Sequence, residues 1–275
     1  MPVVAVVNRK GGSGKSTIAT HLAAWMAHQG CAVMLGDVDR QQSTRTWLKR
    51  RPSCVPPILP WVMDHKNILK PPAGVTHVVL DTPGGLQGFE LSRLVMQADA
   101  IVIPVCNSLF DRESAASCHA ELLAHPRISS GRCKLGMVGM RIDARTRGAD
   151  VLRQWAQERG MPFWGVLREA QVYVKTVEHG LTLFDLPAAP HAADLSQWQP
   201  LLTALSAVVG ALPRHARALQ VPSEEMASLG DTQGFTLGES QDKASQILPA
   251  RAQALMPAQG TLAHGDRFAR WTGDR

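Results

Sequence analysis

The stretch "VVAVVNRKGGSGKSTIATHL", residues 3–22, decides how this chain folds. A valine-rich apolar run ends in a glycine loop. The loop opens into a segment with Ile18, Leu22, Trp25 and Met26 at helical spacing, and Gly30 follows as a stop. Strand, glycine loop and helix in that order form the setting of a phosphate-binding loop. Glycines let backbone N–H groups approach phosphate oxygens, and the helix N-terminus adds a favourable dipole. Gly11, Gly12, Ser13 and Gly14 are therefore the expected cradle. Lys15 is expected to reach the β- and γ-phosphates, Ser16 to ligate Mg²⁺ through its hydroxyl, and Thr17 to hydrogen-bond the α-phosphate.

The loop departs from the usual G-x-x-x-x-G-K-[ST] pattern. Position 9 is Arg9 instead of glycine, and the loop reads K-G-G-x-G-K-S with Lys10 inside it. A lysine there has little room to fold back onto phosphates that Lys15 already holds. It is well placed to reach across an interface to the nucleotide of a second subunit.

Outward from the loop, "CAVMLGD", "THVVLD", "AIVIPV" and "CKLGMVGM" are short, almost continuously apolar runs. Such runs read as strands with both faces covered. "DRESAASCHAELLAHP" and "GADVLRQWAQERG" read as helices, "MPFWGVL" as a further strand, and "AADLSQWQPLLTALSAVVGAL" as a closing helix. The repeating order predicts an α/β fold with a doubly wound, mostly parallel sheet and helices on both faces. After Pro213 the chain becomes rich in Gly, Pro, Ser, Gln and Ala without sustained periodicity, so residues 213–275 read as a mostly disordered extension. No internal repeat is visible.

At 275 residues the chain is long enough for one large domain plus such a tail. No apolar run reaches the roughly 18 residues of a membrane span. The opening residues lack a basic n-region and a cleavage site, so a cytoplasmic protein is expected. The five cysteines, Cys31, Cys54, Cys106, Cys118 and Cys133, are widely spaced and never paired as C-x-x-C. They read as reduced thiols serving as small core hydrophobes. His21 and His28 read as packing or surface residues, not ligands. The formal net charge is +6. Basic and acidic residues balance from Pro213 onward, so the excess lies in residues 1–212, where it suits a polyanion or an ordinary solvated surface.

Two more segments complete the pattern. "MLGDVDRQQSTRTW" places Asp37 at a strand end and Asp39 in the loop beyond it. "HVVLDTPGG" is an apolar strand ending in Asp81 before a Gly-rich turn. With the loop at residues 10–17, and with "PVCNSLFDRESAASCHAELL", "VGMRIDARTR" and "LREAQVYVKTVEHGLTLFD", they resemble the ParA family of deviant Walker A P-loop ATPases (ParA/MinD type). The likeness is strongest to the small ParF-like partition ATPases and spans about residues 2–210.

The resemblance implies an ATPase domain over residues 1–212, with ATP and Mg²⁺ as cofactors. It implies that Lys10 acts across a homodimer formed with ATP, that Asp37 and Asp81 hold Mg²⁺ through water, and that Asp39 positions the attacking water. Catalysis would thus fall to Lys10, Lys15 and Asp39, with weak intrinsic turnover. Arg40 stands where the family usually has proline, and Gln41 keeps the family residue. The family often reads adenine with an Asn near Met140 or Arg141 and a Pro near Leu167; this chain has neither, so ATP over GTP rests on the likeness.

In the family the ATP dimer binds DNA without sequence preference, and a ParB-like or other adaptor triggers hydrolysis and release. Arg145, Arg147, Arg168 and Lys175 are the candidate DNA contacts, in segments C-terminal to the sheet core. The expected outcome is segregation of a plasmid or chromosome region, or positioning of another large cargo, by a nucleoid-associated protein. Two alternatives stand beside it. One is a MinD-like membrane-cycling ATPase, for which "DRFARWTGDR" is the nearest thing to an amphipathic basic helix. The other is a non-hydrolysing scaffold in which Arg40 has disabled the loop after the second strand.

Overall fold

Residues 3–7 are buried on both sides. Val4 and Val6 pack into one apolar layer while Val3, Ala5 and Val7 pack into another, as the two-residue period of a strand dictates. A computed structural model of the protein, describing residues 1–38, 42–62, 73–143 and 145–210, shows how that pattern repeats. The elements in chain order are β1 (Val3–Val6), α1 (Lys15–His28), β2 (Val33–Asp37), α2 (Ser43–Arg50), β3 (Ile58–Val62), β4 (His77–Asp81), α3 (Gly88–Gln97) and β5 (Ala100–Val105). They continue with α4 (Leu109–Leu123), α5 (Pro126–Ser129), β6 (Lys134–Ile142), α6 (Gly148–Glu158), β7 (Phe163–Arg168), α7 (Gln171–Glu178) and α8 (Ala192–Val209). Two 3-10 turns, Leu183–Asp185 and Ala189–His191, precede α8.

The strands form a seven-stranded sheet in the order β3-β2-β4-β1-β5-β6-β7. All pairings among the described residues are parallel. One apolar layer joins the sheet to α1, α8 and Trp47 of α2, and the other joins it to α3, α4, α6 and Ile128 of α5. The doubly wound sheet with helices on both faces is thus observed. Among the described residues no helix is long and apolar enough to cross a membrane. The extension expected from Pro213 onward lies outside the described residues.

Several element readings need correction. β3 was absent from the sequence expectation because Pro60 interrupts a short run; as an edge strand paired only to β2 it tolerates a residue without an N–H. The sequence expectation also lacked α2, α3 and α7, helices of eight to ten residues with at most three buried side chains each. α4 starts at Leu109, not Asp111, because the Ser108 hydroxyl accepts the Asp111 N–H at 3.2 Å and caps the helix. It ends at Leu123, and Pro126 opens the separate α5. Cys31, Cys118 and Cys133 are core residues, as expected, and burial pushes the Cys118 thiol up to about 11 and that of Cys133 to about 12. Cys54 and Cys106 are half-buried.

Asp185 ties the far ends of α1 and α2 to the chain before α8. Its carboxylate, with no side-chain exposure, accepts two bonds from Arg51 (2.9 and 3.0 Å) and lies 2.8 Å from His28 Nε2. It also accepts the N–H and hydroxyl of Thr182 at 2.8 and 2.7 Å. Trp47 Nε1–H donates to Leu181 O at 3.2 Å. Gly180, at φ 72°, lets the backbone touch α2: a Cβ there would lie 2.3 Å from the Arg50 carbonyl carbon. Burial pushes the Asp185 carboxyl up, but His28 and Arg51 outweigh burial and hold it well below the carboxylate range.

Removing this charge strands the Arg51 guanidinium, whose side chain is 4% exposed. Asp185→Asn is expected to lower unfolding stability by about 3 kcal/mol or more in a urea titration at neutral pH. Because the folded pKa is depressed, Asp185's contribution is present above its unfolded value of 3.8 and is lost only as pH falls below that value. Wild type and variant should therefore converge in strong acid.

Candidate nucleotide site at the carboxyl edge of the sheet

The loop after β1 is held by a residue the sequence did not single out. Asn8, 1% exposed, donates its amide to Pro104 O at 2.7 Å and accepts the Lys10 N–H at 3.0 Å, fastening the loop to the end of β5. Gly12 and Gly14 have φ of 73° and 95°, left-handed values that glycine adopts without strain. A Cβ on Gly14 would sit 2.7 Å from Met140 Cε, whereas one on Gly11 or Gly12 would meet nothing within 4 Å. The loop is packed beneath and open above. No side chain caps the N-terminus of α1, which leaves its first N–H groups for an anion. Lys15 is buried, and its ammonium donates to Lys10 O at 2.9 Å.

Strand register brings the carboxylates to this loop. Asp37 closes β2 and Asp81 closes β4; they are direct partners across the pair, and Asp81 also partners Val6 of β1. Asp81 is buried, and Asp37 Oδ2 accepts the Arg45 N–H at 3.1 Å, anchoring the start of α2. Thr82 donates its hydroxyl to Val6 O at 2.7 Å, and a Cβ on Gly84 would lie 3.3 Å from Gly11 N. The loops after β1 and β4 are thus in backbone contact. Asp37 and Asp81, paired across two strand ends, are hard oxygen donors of the kind that suits Mg²⁺. Asp39, Arg40 and Gln41 lie outside the described residues.

Beside the loop lies a cavity of about 380 Å³ whose lining includes Thr17, Met140, Arg141, Leu167, Glu169 and Tyr173. Its size suits a nucleoside. Register shifts between β6 and β7 and a left-handed Arg141 (φ 53°) shape its rim. Its wall is braced from behind. The Tyr173 hydroxyl accepts the Trp198 Nε1–H at 3.1 Å, and His21 stacks on Trp198 at 5.1 Å. His21 Nδ1 lies 2.8 Å from Thr17 O, and Nε2 accepts the Leu183 N–H at 3.2 Å. The proton therefore sits on Nδ1, and burial lowers the imidazole pKa to about 4. His21 is a buried packing residue, whereas His28 is partly exposed and lies against Asp185.

Two basic residues of the loop are paired within the chain. Lys10 Nζ lies 2.6 Å from Asp111 Oδ1. Arg9 pairs with Glu121, whose other oxygen accepts the Gly88 N–H at 2.7 Å, linking the loop to the last turn of α4 and the start of α3. Neither Asp111 nor Glu121 was singled out in sequence, although S-x-x-D at Ser108–Asp111 is a helix-start signal. Of the proposed DNA contacts, Arg145 pairs with Asp143 at 2.8 Å, and Arg168 grips Asp194 through two bonds of 2.6 and 2.9 Å. Arg168 closes β7 and so belongs to the sheet, correcting its expected place beyond it. Arg147 and Lys175 are exposed and form no ion pair among the described residues.

A family model described as the CobQ/CobB/MinD/ParA nucleotide binding domain matches residues 4–183. The chain belongs to this family. Its ParA/MinD-type members are P-loop ATPases, and the sheet and phosphate loop here are theirs. The chain is 32% identical over 186 residues to a Gloeobacter kilaueensis protein named "Maintenance of carboxysome distribution protein A", an alignment covering 66% of this chain and 83% of that one. A putative plasmid partition protein from Borrelia burgdorferi B31 bound to AMPPNP shares the fold at TM-score 0.55, 15% identical over 74% of this chain and 99% of that one. So does the septum site-determining protein MinD complexed with Mg-ADP from Pyrococcus horikoshii OT3, at TM-score 0.54 and 12% identity over 76% and 97%.

A neutral, buried His21 beside Thr17 makes the domain acid-sensitive. Its folded pKa lies below the unfolded 6.5, so stability is full above that value and declines as pH falls toward about 4. The expected loss by pH 4 is about 3 kcal/mol. In His21→Gln, which keeps a donor and an acceptor but does not titrate, the slope of stability against pH in this window should flatten.

Proposed function

We propose that this protein is an ATP-dependent dimerising ATPase that binds DNA without sequence preference in its ATP state and positions a large cargo along it. The observation that carries the reading is the division of labour in the loop. Lys15 is buried beneath the cradle, while Lys10 stands 39% exposed at its mouth, where a second subunit could meet it. Contacts made only when two loops face each other over a triphosphate would couple nucleotide state to oligomeric state.

In this reading Gly11, Gly12, Ser13 and Gly14 bind phosphate through backbone N–H groups, Lys15 holds the β- and γ-phosphates, and Thr17 the α-phosphate. Ser16, Asp37 and Asp81 would hold Mg²⁺, which supplies neutralising charge to the phosphates. Asp39 orients the attacking water. The cavity between Met140 and Tyr173 takes the nucleoside. The name of a relative connected with carboxysome distribution supports a cargo-positioning role, with a ParB-like or other adaptor as the trigger of hydrolysis. Arg147 and Lys175 are the stronger of the proposed DNA contacts, since Arg145 and Arg168 already have carboxylate partners. The protein would be cytoplasmic and nucleoid-associated with ATP.

The test follows fluorescence anisotropy of an arbitrary labelled duplex with Asp39→Ala, chosen to hold the ATP state, with ATP and with ADP at two salt concentrations. Tight, salt-sensitive binding with ATP alone is expected, and Lys15→Ala should abolish it. Gly11→Val, which fills the open mouth of the loop, should leave a concentration-independent monomer in ATP. Dimers in ATP without DNA binding would overturn the DNA reading and favour a membrane or protein scaffold.

A further inference from the structure

Lys10 is restrained at both ends by its own chain. Asn8 Oδ1 accepts its backbone N–H at 3.0 Å, and Asp111 takes its ammonium at 2.6 Å. Asp111 is itself fixed in the first turn of α4. Its N–H donates to Ser108 Oγ, and the Ser108 hydroxyl donates to Asp111 Oδ2. The carboxylate side chain is only 13% exposed, against 39% for the lysine. Burial raises the Asp111 carboxyl, but Lys10 and Ser108 outweigh it and hold it below the usual carboxylate range, so it is charged at neutral pH.

We propose that Asp111 is a positioning residue for Lys10, holding its ammonium against its own chain until a second subunit competes for it. This rests on the reading of Lys10 as a residue that acts across a dimer. Lys10 leaves Asp111 when it reaches a phosphate on the other subunit, and Asp111 thereby sets how readily the ATP dimer forms. A partly exposed ion pair shifts an equilibrium by up to about fivefold. A two-fold symmetric dimer breaks two such pairs, so the factor enters twice. Asp111→Asn is therefore expected to tighten the ATP dimer by about tenfold.

Two measurements on the full chain test this. Without nucleotide, the rate at which a small amine-reactive ester acylates Lys10, read by mass spectrometry, should rise several-fold in Asp111→Asn, while Lys175 labels at an unchanged rate. Equal Lys10 rates in wild type and variant would overturn the proposal, whatever the dimer does. With a nonhydrolysable ATP analogue, sedimentation should show the tighter Asp111→Asn dimer, and the gain should vanish when Lys10→Ala is added, which a merely structural effect on α4 would not do. Asparagine preserves the Ser108 contacts, and Asp111→Ser repeats the test should the first variant melt early. If Asp111→Asn dimerises no better than wild type while Lys10→Ala fails to dimerise, the holding role is wrong and the reading of Lys10 stands. If Lys10→Ala dimerises like wild type, that reading falls and takes the proposal with it.

Discussion

Parallel pairing of β1 with β4 on one side and β5 on the other is the constraint on which the rest depends. It buries β1 completely, delivers the phosphate loop at the carboxyl edge of the sheet, and fixes what can stand beside it. On the β4 side that neighbour is Asp81, with Asp37 in register one strand further. On the β5 side it is Pro104 and the chain leading to Ser108 and Asp111, which hold Asn8 and Lys10. A parallel sheet concentrates loop ends in this way because every strand points the same direction, and ligand sites of open α/β folds lie at that edge.

The glycines convert this placement into contact. Gly84 brings the loop after β4 within backbone reach of Gly11, an approach that a side chain at Gly84 would crowd. Arg9 extends the link through Glu121 to Gly88, the first residue of α3. On the opposite face, Asp185 and Arg51 lock α2 to the chain before α8, while Asp37 holds the start of α2. Charge pairs thus do at the loops what apolar packing does in the core: they set position where there is too little surface to bury.

Most of the fold was legible because its signals are local. A continuous apolar run of five or six residues between breakers reads as a covered strand whichever neighbour covers it, and six of the seven strands announced themselves so. The exception, β3, is an edge strand broken by Pro60, and α2, α3 and α7 are short helices with few buried side chains. Their positions follow from docking more than from propensity. Within the site, the residues of the loop itself were legible, since left-handed turns at Gly12 and Gly14 and an uncapped helix start are properties of adjacent residues. Residue spacing left His21 as a packing or surface residue, and nothing nearby in sequence foretells its stacking on Trp198.

The sequence by itself determined the phosphate loop, the parallel sheet class, the carboxylates at strand ends and the presence of a second lysine in the loop. All of these follow from backbone sterics and periodicity over a few residues. Only the tertiary structure decided that Lys10 rests on Asp111, that Arg9 joins Glu121, that Arg168 is taken by Asp194, and that Met140 and Tyr173 frame one cavity. Those partners are far apart in the chain, and a charged side chain chooses among the carboxylates within reach by distance and burial, which exist only once the sheet has set its strand order.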